Sequence, residues 1–256
     1  MTLLMSLFSS GDTILISSEE CGGHGSMPKI CHRLGINTIE IPYNYDIYDF
    51  DYEETNKLLK TQKIDGILIC LSDIITMPQL RKFDLPQECV LIFDATQILG
   101  LIATKSMENP LEWFTKKQKF ILMGATHKTL PGPTCGLIMT NNLELAHQFD
   151  TLINPDYLRN SQLHHIFSLI LALMELEICG QQYSATIINN ANILADALVK
   201  YNFTLLKASS KYTYTHQLFI SMPEYDAEKF YNKCLDYGVS INLRNKHLYK
   251  TCGLRI

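Results

Sequence analysis

The sequence predicts an α/β protein, with a mostly parallel sheet covered by helices and a smaller α+β domain after it. Two observations predict this arrangement. Up to residue 140, short apolar runs typical of strands alternate with segments of helical length, as in parallel strands joined by crossover helices. After residue 140, long helical stretches come first and short strands follow. We therefore predict a larger domain over residues 1–180 and a smaller one over residues 181–256.

The strands predicted in the first part are rich in Ile, Leu, Val and Phe, which is typical of strands buried on both faces. They cover residues 13–17, 38–42, 66–70, 90–94, 120–124 and 136–140. Helices are predicted ahead of the first strand and at residues 28–34, 52–61 and 77–82. Strands that alternate with helices in this way predict crossover connections between parallel neighbours.

In the second part, apolar residues recur at helical spacing. Helices are predicted at residues 143–148, 161–179, 185–200 and 227–237, the last ending at Gly238 as a C′ residue. Strands are predicted at residues 204–207, 217–221, 239–243 and 252–256. Together they predict a small α+β domain.

Composition excludes several classes of protein. The 256 residues are 46% hydrophobic and 19% charged with a net charge of −4, and no basic run stands out, so we expect no nucleic-acid partner. The eight cysteines stand singly, which indicates reduced thiols and a cytoplasmic protein. The apolar run at residues 166–179 contains Glu175 and Glu177 and is too short to cross a bilayer. We therefore expect no membrane segment.

A lysine and an aspartate each follow a predicted strand. Lys128 lies in a polar loop after the strand at 120–124, and Asp94 ends the strand CVLIFD. Ligands of open α/β sheets bind outside the carboxyl ends of the strands. A lysine there can form a Schiff base with the aldehyde of pyridoxal phosphate, and an aspartate can pair with its pyridinium nitrogen. The alternatives are a solvated loop lysine and a helix-capping aspartate.

Other candidates lie in loops. His24 follows Gly22 and Gly23 in CGGHGS, where glycines let the backbone approach a ligand and an imidazole can stack on an aromatic ring. A tight turn with an incidental histidine is the alternative. His127 could move a proton beside Lys128, or be a loop histidine only. The cysteines and histidines near His24 lack the paired spacing of zinc sites, so no metal is predicted.

Two further residues could bind a ligand directly. Ser72 follows the strand GILIC and could donate a hydrogen bond, although serine is also common in turns. Arg255, in CGLRI, could hold an amino-acid carboxylate with its planar fork of N–H groups. The alternative for Arg255 is a frayed, solvated chain end.

Six segments, in order along the chain, resemble serine hydroxymethyltransferases. They read GDTILISSEECGGHGS, LIFDATQILGLIA, ATHKTLPGPTCGLI, THQLFI, YGVSINLRN and CGLRI. The third is the most specific, since it is similar to the family's lysine loop, THKTL-x-GP-x-GGLI. The resemblance implies the fold-type I, aminotransferase-like architecture of pyridoxal-phosphate enzymes.

The resemblance also implies roles for individual residues. Lys128 would form the internal aldimine, Asp94 would pair with the pyridine nitrogen, and His24 would stack on the ring. Ser72, Thr96 and His127 would line the cofactor, and Arg255 would hold the substrate carboxylate. Gly22 and Gly23 match a loop that, in the family, also contacts folate. The implied reaction is one-carbon transfer between serine and glycine, or a related retro-aldol reaction. Pyridoxal phosphate would be the cofactor and tetrahydrofolate a candidate co-substrate, in a homodimer or with a partner chain that completes the site.

The chain also departs from the family pattern. Met1 aligns inside the family's large domain, so the Ser-Gly-Ser phosphate loop, the catalytic glutamate and the partner subunit's tyrosine have no counterpart. Gln97, Thr134 and Cys135 replace the family's His, Arg and Gly, and the chain stops one residue after Arg255. Two alternatives therefore stay open. One is an inactive pseudoenzyme or one subunit of a split enzyme; the other is transaldol transfer or retro-aldol cleavage without folate.

Overall fold

The computed structural model of the chain describes residues 1–207, 209–250 and 252–256. The strands of its first part are β1 (Thr13–Ile16), β2 (Asn37–Glu40), β3 (Tyr43–Asn44), β4 (Asp49–Phe50), β5 (Gly66–Cys70), β6 (Val90–Asp94), β7 (Phe120–Ala125) and β8 (Gly136–Met139). Six of them form one sheet in the order β2-β1-β5-β6-β7-β8, with the first five strands parallel and β8 antiparallel to β7. Strands β3 and β4 form a separate hairpin. The predicted, mostly parallel sheet is confirmed.

Burial explains why the strands are apolar throughout. Alternate residues of β6 enter different clusters: Leu91 and Phe93 pack on one face of the sheet, and Val90 and Ile92 pack on the other. All five residues of β5 are buried as well. A parallel strand covered on both faces needs this composition.

Four short helices belong to the first part: α1 (Thr2–Leu7), α2 (Met27–Arg33), α3 (Tyr52–Thr61) and α4 (Leu99–Ala103). Asp51 caps the amino end of α3, because its carboxylate accepts a hydrogen bond from the backbone N–H of Glu54 at 3.0 Å. The helix predicted at residues 77–82 is wrong, because only a 3₁₀ turn, Leu80–Lys82, forms there. Pro78 disfavours a helical conformation at the residue before it.

A single long helix dominates the second part. After α5 (Leu143–Thr151) and a π-helical segment (Leu152–Tyr157) comes α6 (Leu163–Lys200), with 38 residues. We predicted two helices here, at 161–179 and 185–200, and that separation is wrong. Gly180 does not end a helix; it gives room to Thr104, whose Cγ2 would lie 2.7 Å from an added Cβ. The predicted domain boundary at 180/181 falls within α6 and stays a prediction.

Helix α6 also bears on the expectation of no membrane segment. The expectation was based on an apolar run of residues 166–179, whereas the helix that contains this run continues to Lys200. By length and composition α6 is long and apolar enough to cross a membrane, and most of its apolar stretch is exposed. Length and composition alone are weak evidence, since a long helix of a soluble protein can meet the same criteria.

The chain ends in a small antiparallel sheet with the order β11-β12-β10-β9. Its elements are β9 (Thr204–Leu205), β10 (Phe219–Met222), α7 (Glu224–Asp236), β11 (Asn242–Arg244) and β12 (Cys252–Arg255). Gly238 has φ +73° and follows α7 as predicted. The strand predicted at residues 239–243 begins only at Asn242, because the N–H of Val239 donates back to Cys234 O and completes the helix end.

Candidate active site

The predicted site residues come together at the carboxyl ends of neighbouring parallel strands. Asp94 is the last residue of β6, and it pairs in register with Cys70 of β5 and Met123 of β7. Ser72 follows β5, while His127 and Lys128 follow β7. The backbone N–H of His24, in the loop after β1, donates to Cys70 O at 2.9 Å. Four loops therefore meet at one edge of the sheet.

The carboxylate of Asp94 is held by two donors. Its Oδ1 accepts the backbone N–H of Thr96 at 2.9 Å, and its Oδ2 accepts the thiol of Cys70 at 3.2 Å. Burial, and then the charge of Asp94, raise the pKa of the Cys70 thiol, so the thiol stays protonated and can donate. The Thr96 hydroxyl accepts the N–H of Ala125 at 2.9 Å and so ties β6 to β7. A contact from Thr96 to a cofactor stays a prediction.

The Lys128 loop is fixed by a buried threonine on each side. The Thr126 hydroxyl accepts the N–H of Cys135 at 3.3 Å. The Thr129 hydroxyl donates to Gln97 O at 2.9 Å and accepts the N–H of Gly100 at 3.1 Å. Lys128 lies between these anchors with its side chain exposed. Its backbone is therefore held in place at the carboxyl edge of the sheet.

The amine of Lys128 lies in a mixed electrostatic environment. Partial burial, and then the positive charge of Arg255, lower its pKa, while Asp94 and Cys70 act in the opposite direction. A lower pKa increases the fraction of neutral amine, which is the nucleophilic form.

The glycine-rich loop packs tightly against the loop after β5. Gly22 has φ +99°, and a Cβ there would lie 2.5 Å from Asp73 O. A Cβ on Gly23 would lie 2.4 Å from Ser17 O and Ser18 O. Both glycines are buried, so this packing accounts for them; a contact with substrate or folate stays a prediction. The imidazole of His24 is exposed, with its Nδ1 2.7 Å from the hydroxyl of Ser26.

Arg255 is an ordered residue of β12 and not a frayed end. Its Nη1 donates to Ser72 O at 2.8 Å and to Asp73 Oδ1 at 2.8 Å, and its side chain is 15% exposed. The contact seen for Ser72 thus uses its carbonyl group; a hydroxyl contact to the cofactor stays a prediction. Asp73 was not predicted from the sequence, although an aspartate among the apolar residues that follow β5, in ICLSDIIT, was a usable signal.

His216 was also missed. It precedes β10, and its Nδ1 is buried without a hydrogen-bond partner among the residues that the structure describes. Burial, with the charges of Arg255 and Lys128, lowers the pKa of His216 to about 4. It is therefore a neutral imidazole close to the same two cations. His127, in contrast, is exposed beside Lys128.

A cavity of about 410 Å³ lies elsewhere. Its lining includes Asp12, Asp65 and Val90, which stand at the amino ends of β1, β5 and β6. The candidate site is at the opposite, carboxyl ends of these strands. This cavity is therefore no part of the candidate site.

Comparison with known proteins identifies the family. The serine hydroxymethyltransferase family model matches residues 1–243. The enzyme of that name from Archaeoglobus fulgidus is 28% identical over 248 residues, which cover 94% of this chain and 56% of the relative. The one from Thermoplasma volcanium is 29% identical, with 99% and 62% covered. The chain thus spans little more than half the length of these curated relatives.

A solved structure supports the fold. L-threonine transaldolase from Pseudomonas fluorescens, in its internal aldimine state, superposes with a TM-score of 0.89 at 22% identity, covering 99% of this chain and 59% of that one. The predicted fold-type I architecture is confirmed. With the family model matching residues 1–243, the chain belongs to the serine hydroxymethyltransferase family.

Proposed function

We propose that this chain carries a pyridoxal-phosphate site and acts, as a serine hydroxymethyltransferase-like transferase or aldolase, on a small amino acid. The observation that carries the proposal is the placement of Lys128 and Asp94. Asp94 ends β6 and Lys128 follows the neighbouring β7, and partial burial with the charge of Arg255 lowers the pKa of the lysine. An amine of this kind suits an aldehyde, and a fixed carboxylate suits a protonated ring nitrogen.

The residues present fit the cofactor's ring and aldehyde. Asp94 would hold the ring nitrogen with a carboxylate already oriented by Thr96 and Cys70. Lys128 would hold the aldehyde carbon, and the exposed imidazole of His24 would lie on the ring face. When bound, the cofactor supplies an electron sink that stabilises negative charge at the amino acid's α-carbon.

The chain's own groups would orient the substrate and move protons. Arg255 would bind the substrate carboxylate through the N–H groups other than Nη1, which Ser72 O and Asp73 already occupy. The neutral amine of Lys128 would accept a proton near the α-carbon, since its pKa is lowered. His127, exposed beside it, would exchange that proton with solvent.

The test is attachment of the cofactor to Lys128. The full chain is mixed with pyridoxal phosphate, its visible absorbance is recorded, and borohydride reduction is followed by peptide mass mapping. We expect one labelled peptide, containing Lys128, and no label at this position in Lys128→Ala; Lys117→Ala, a surface control, should label normally. Label spread over surface lysines, or unchanged turnover of serine and allo-threonine by Lys128→Ala, would contradict the proposal.

The second candidate is an inactive scaffold or one subunit of a split enzyme. It is favoured by the engagement of Arg255, since its bonds to Ser72 and Asp73 compete with a substrate carboxylate. Robust turnover by the isolated chain would exclude it. Labelling of Lys128 only after a chain with a Ser-Gly-Ser loop is added would favour a split enzyme. Turnover of allo-threonine with and without tetrahydrofolate separates folate-dependent transfer from retro-aldol cleavage.

A partner chain would also account for the surface of α6. Large apolar side chains there are exposed, among them Leu163, Ile166, Phe167, Leu171, Met174 and Ile178. Contiguous apolar surface of this kind is typical of interfaces. A second copy of the chain is the partner that we propose for it.

A further inference from the structure

A buried cluster of charges joins the loop after β5 to the small sheet. The carboxylate of Asp73 has no exposed surface and is surrounded by three basic groups: Lys246 Nζ at 2.8 Å, Arg255 Nη1 at 2.8 Å and Arg244 Nε at 3.4 Å. The side chains of Lys246, Arg255 and Arg244 are only 7%, 15% and 25% exposed. Arg244 and Arg255 lie in β11 and β12, and Lys246 lies in the segment between these strands.

The positive charge of this cluster is not matched. In the described part of the chain, Asp73 is the only carboxylate within 4.0 Å of any of the three cations. The nearby Glu20 accepts the backbone N–H of His247, and Glu224 accepts the amide of Asn245. Charges withdrawn from water are normally paired, because burial of an isolated ion is unfavourable. An anion from outside the chain would supply the missing charge.

Donors without partners lie at the same place. The buried side-chain atoms that have no hydrogen-bond partner among the described residues are Tyr249 OH, His216 Nδ1 and Arg244 Nε, the last of which forms an ion pair with Asp73 at 3.4 Å but no hydrogen bond. Tyr249 is fully buried, and the charges of Asp73, Arg255 and Arg244 all act on its pKa. The charges of Arg255 and Lys128 act on His216. Unmatched charge and unused hydrogen-bonding capacity therefore coincide beside Arg255.

We propose that this cluster binds a second anionic group of the substrate. Arg255 would take the α-carboxylate, and Arg244, whose side chain is 25% exposed, would take a carboxylate or phosphoryl group on a short side chain. The inference rests on the proposed function, because it uses Arg255 as the carboxylate-binding residue. It narrows the substrate class to small amino acids with an acidic side chain.

Matched ligands test the inference. L-aspartate and L-asparagine have nearly the same shape and differ by one charge, so their affinities report the effect of a side-chain carboxylate. O-phospho-L-serine and L-serine are compared in the same way to test whether the site prefers a phosphoryl group. Binding to the full chain is measured by calorimetry at constant ionic strength. A hydrogen bond to a charged group predicts at least about a tenfold preference for the acidic ligand. The preference should disappear in Arg244→Gln and persist in Arg33→Gln, a control at the exposed end of α2.

A second variant keeps the test decisive if Arg244→Gln folds poorly. Asp73→Asn preserves the shape of the side chain and removes the internal negative charge. The inference predicts that this variant prefers L-aspartate over L-asparagine more strongly than the parent does, and that L-aspartate raises its unfolding temperature more. A purely structural cluster predicts lower stability with no change in ligand preference, and that result would overturn the inference.

The outcomes separate this inference from the proposed function. If the cofactor is trapped on Lys128 and the parent binds L-aspartate and L-asparagine equally, the inference fails and the proposed function stands. If trapping on Lys128 fails while an Arg244-dependent preference for L-aspartate is measured, the proposed function fails and the anion site stands.

Discussion

Gly100 is the point where helix α4 touches the Lys128 loop, and the substitution Gly100→Ala tests that contact. A Cβ at this position would lie 2.1 Å from Thr129 O, 2.3 Å from Thr129 C and 2.5 Å from Leu130 N. All three are backbone atoms, which cannot rotate away as a side chain could. Thr129 O is also held by the hydroxyl of Tyr183 at 3.2 Å. Either the helix or the loop must therefore move.

Two opposing effects decide whether Gly100→Ala stabilises or destabilises the folded chain. Alanine in place of glycine stabilises a helix interior by about 1 kcal/mol. Overpacking costs about 1–3 kcal/mol, and contacts this short favour the upper end of that range. A displaced loop would also weaken the Thr129 hydrogen bonds to Gln97 O and from Gly100 N, each contributing about 1 kcal/mol. We expect a net destabilisation of about 2–3 kcal/mol.

Urea unfolding measures the effect as a lower midpoint with an unchanged slope. Gly136→Ala is the first control, because a Cβ there meets nothing within 4 Å, and we expect little change. Gly180→Ala is the second: it lies in a helix, and its Cβ meets only the Thr104 side chain within 3 Å, so the loss should be smaller. A Gly100→Ala chain as stable as its parent would refute the packing argument, since helix propensity would then decide the outcome.

Three further predictions concern other parts of the molecule. Burial with the charges of Arg255 and Lys128 lowers the pKa of His216 from 6.5 to about 4, so the folded chain binds fewer protons than the unfolded chain between these values. The free energy of unfolding should fall by at most about 3 kcal/mol as the pH drops from 6.5 to 4, and His216→Gln should flatten that part of the pH profile. Thr126→Val removes the hydroxyl that accepts the N–H of the partly buried Cys135 and should lower stability by about 1 kcal/mol in thermal unfolding. Thr186→Val, on the exposed surface of α6, should be near neutral. If a second copy covers α6, Ile178→Glu should shift the sedimentation coefficient from that of a dimer to that of a monomer. Tyr225→Glu, a control at another exposed residue, should cause no such shift. A parent chain that sediments as a monomer would contradict the dimer.

The sequence predicts the large sheet well because each strand is a short, fully apolar run. Elements that depend on few residues or on distant contacts are harder. The β3–β4 hairpin has two residues per strand, and α4 has five residues. Neither element is long enough for its apolar residues to recur at a recognisable spacing. The continuity of α6 is hidden because Gly180 and Ser184 suggest a break. Their packing against Thr104 and Ser106 explains them instead.

The same distinction applies to the candidate site. The placement of Lys128, Asp94 and His24 at one edge of the sheet could be predicted, because each lies at or beyond the carboxyl end of an apolar strand and the sheet brings these ends together. Asp73 and His216 could not be assigned, because their surroundings come from distant parts of the chain. Gln217, next to His216, bonds to the backbone of Ile74 across 143 positions of sequence. Sequence patterns over a few neighbouring residues cannot reveal contacts between positions that are this far apart in the chain.

The sequence distance across the Asp73 cluster has a consequence for folding. Lys246 and Arg255 lie 173 and 182 positions after Asp73. Contacts of such long range form slowly, because a large loop must close before they contribute. During synthesis, the large sheet can form while Asp73 still lacks its basic partners. We expect this charge cluster to be among the last parts of the described chain to assemble, and the Asp73 carboxylate to stay in contact with water until its basic partners arrive.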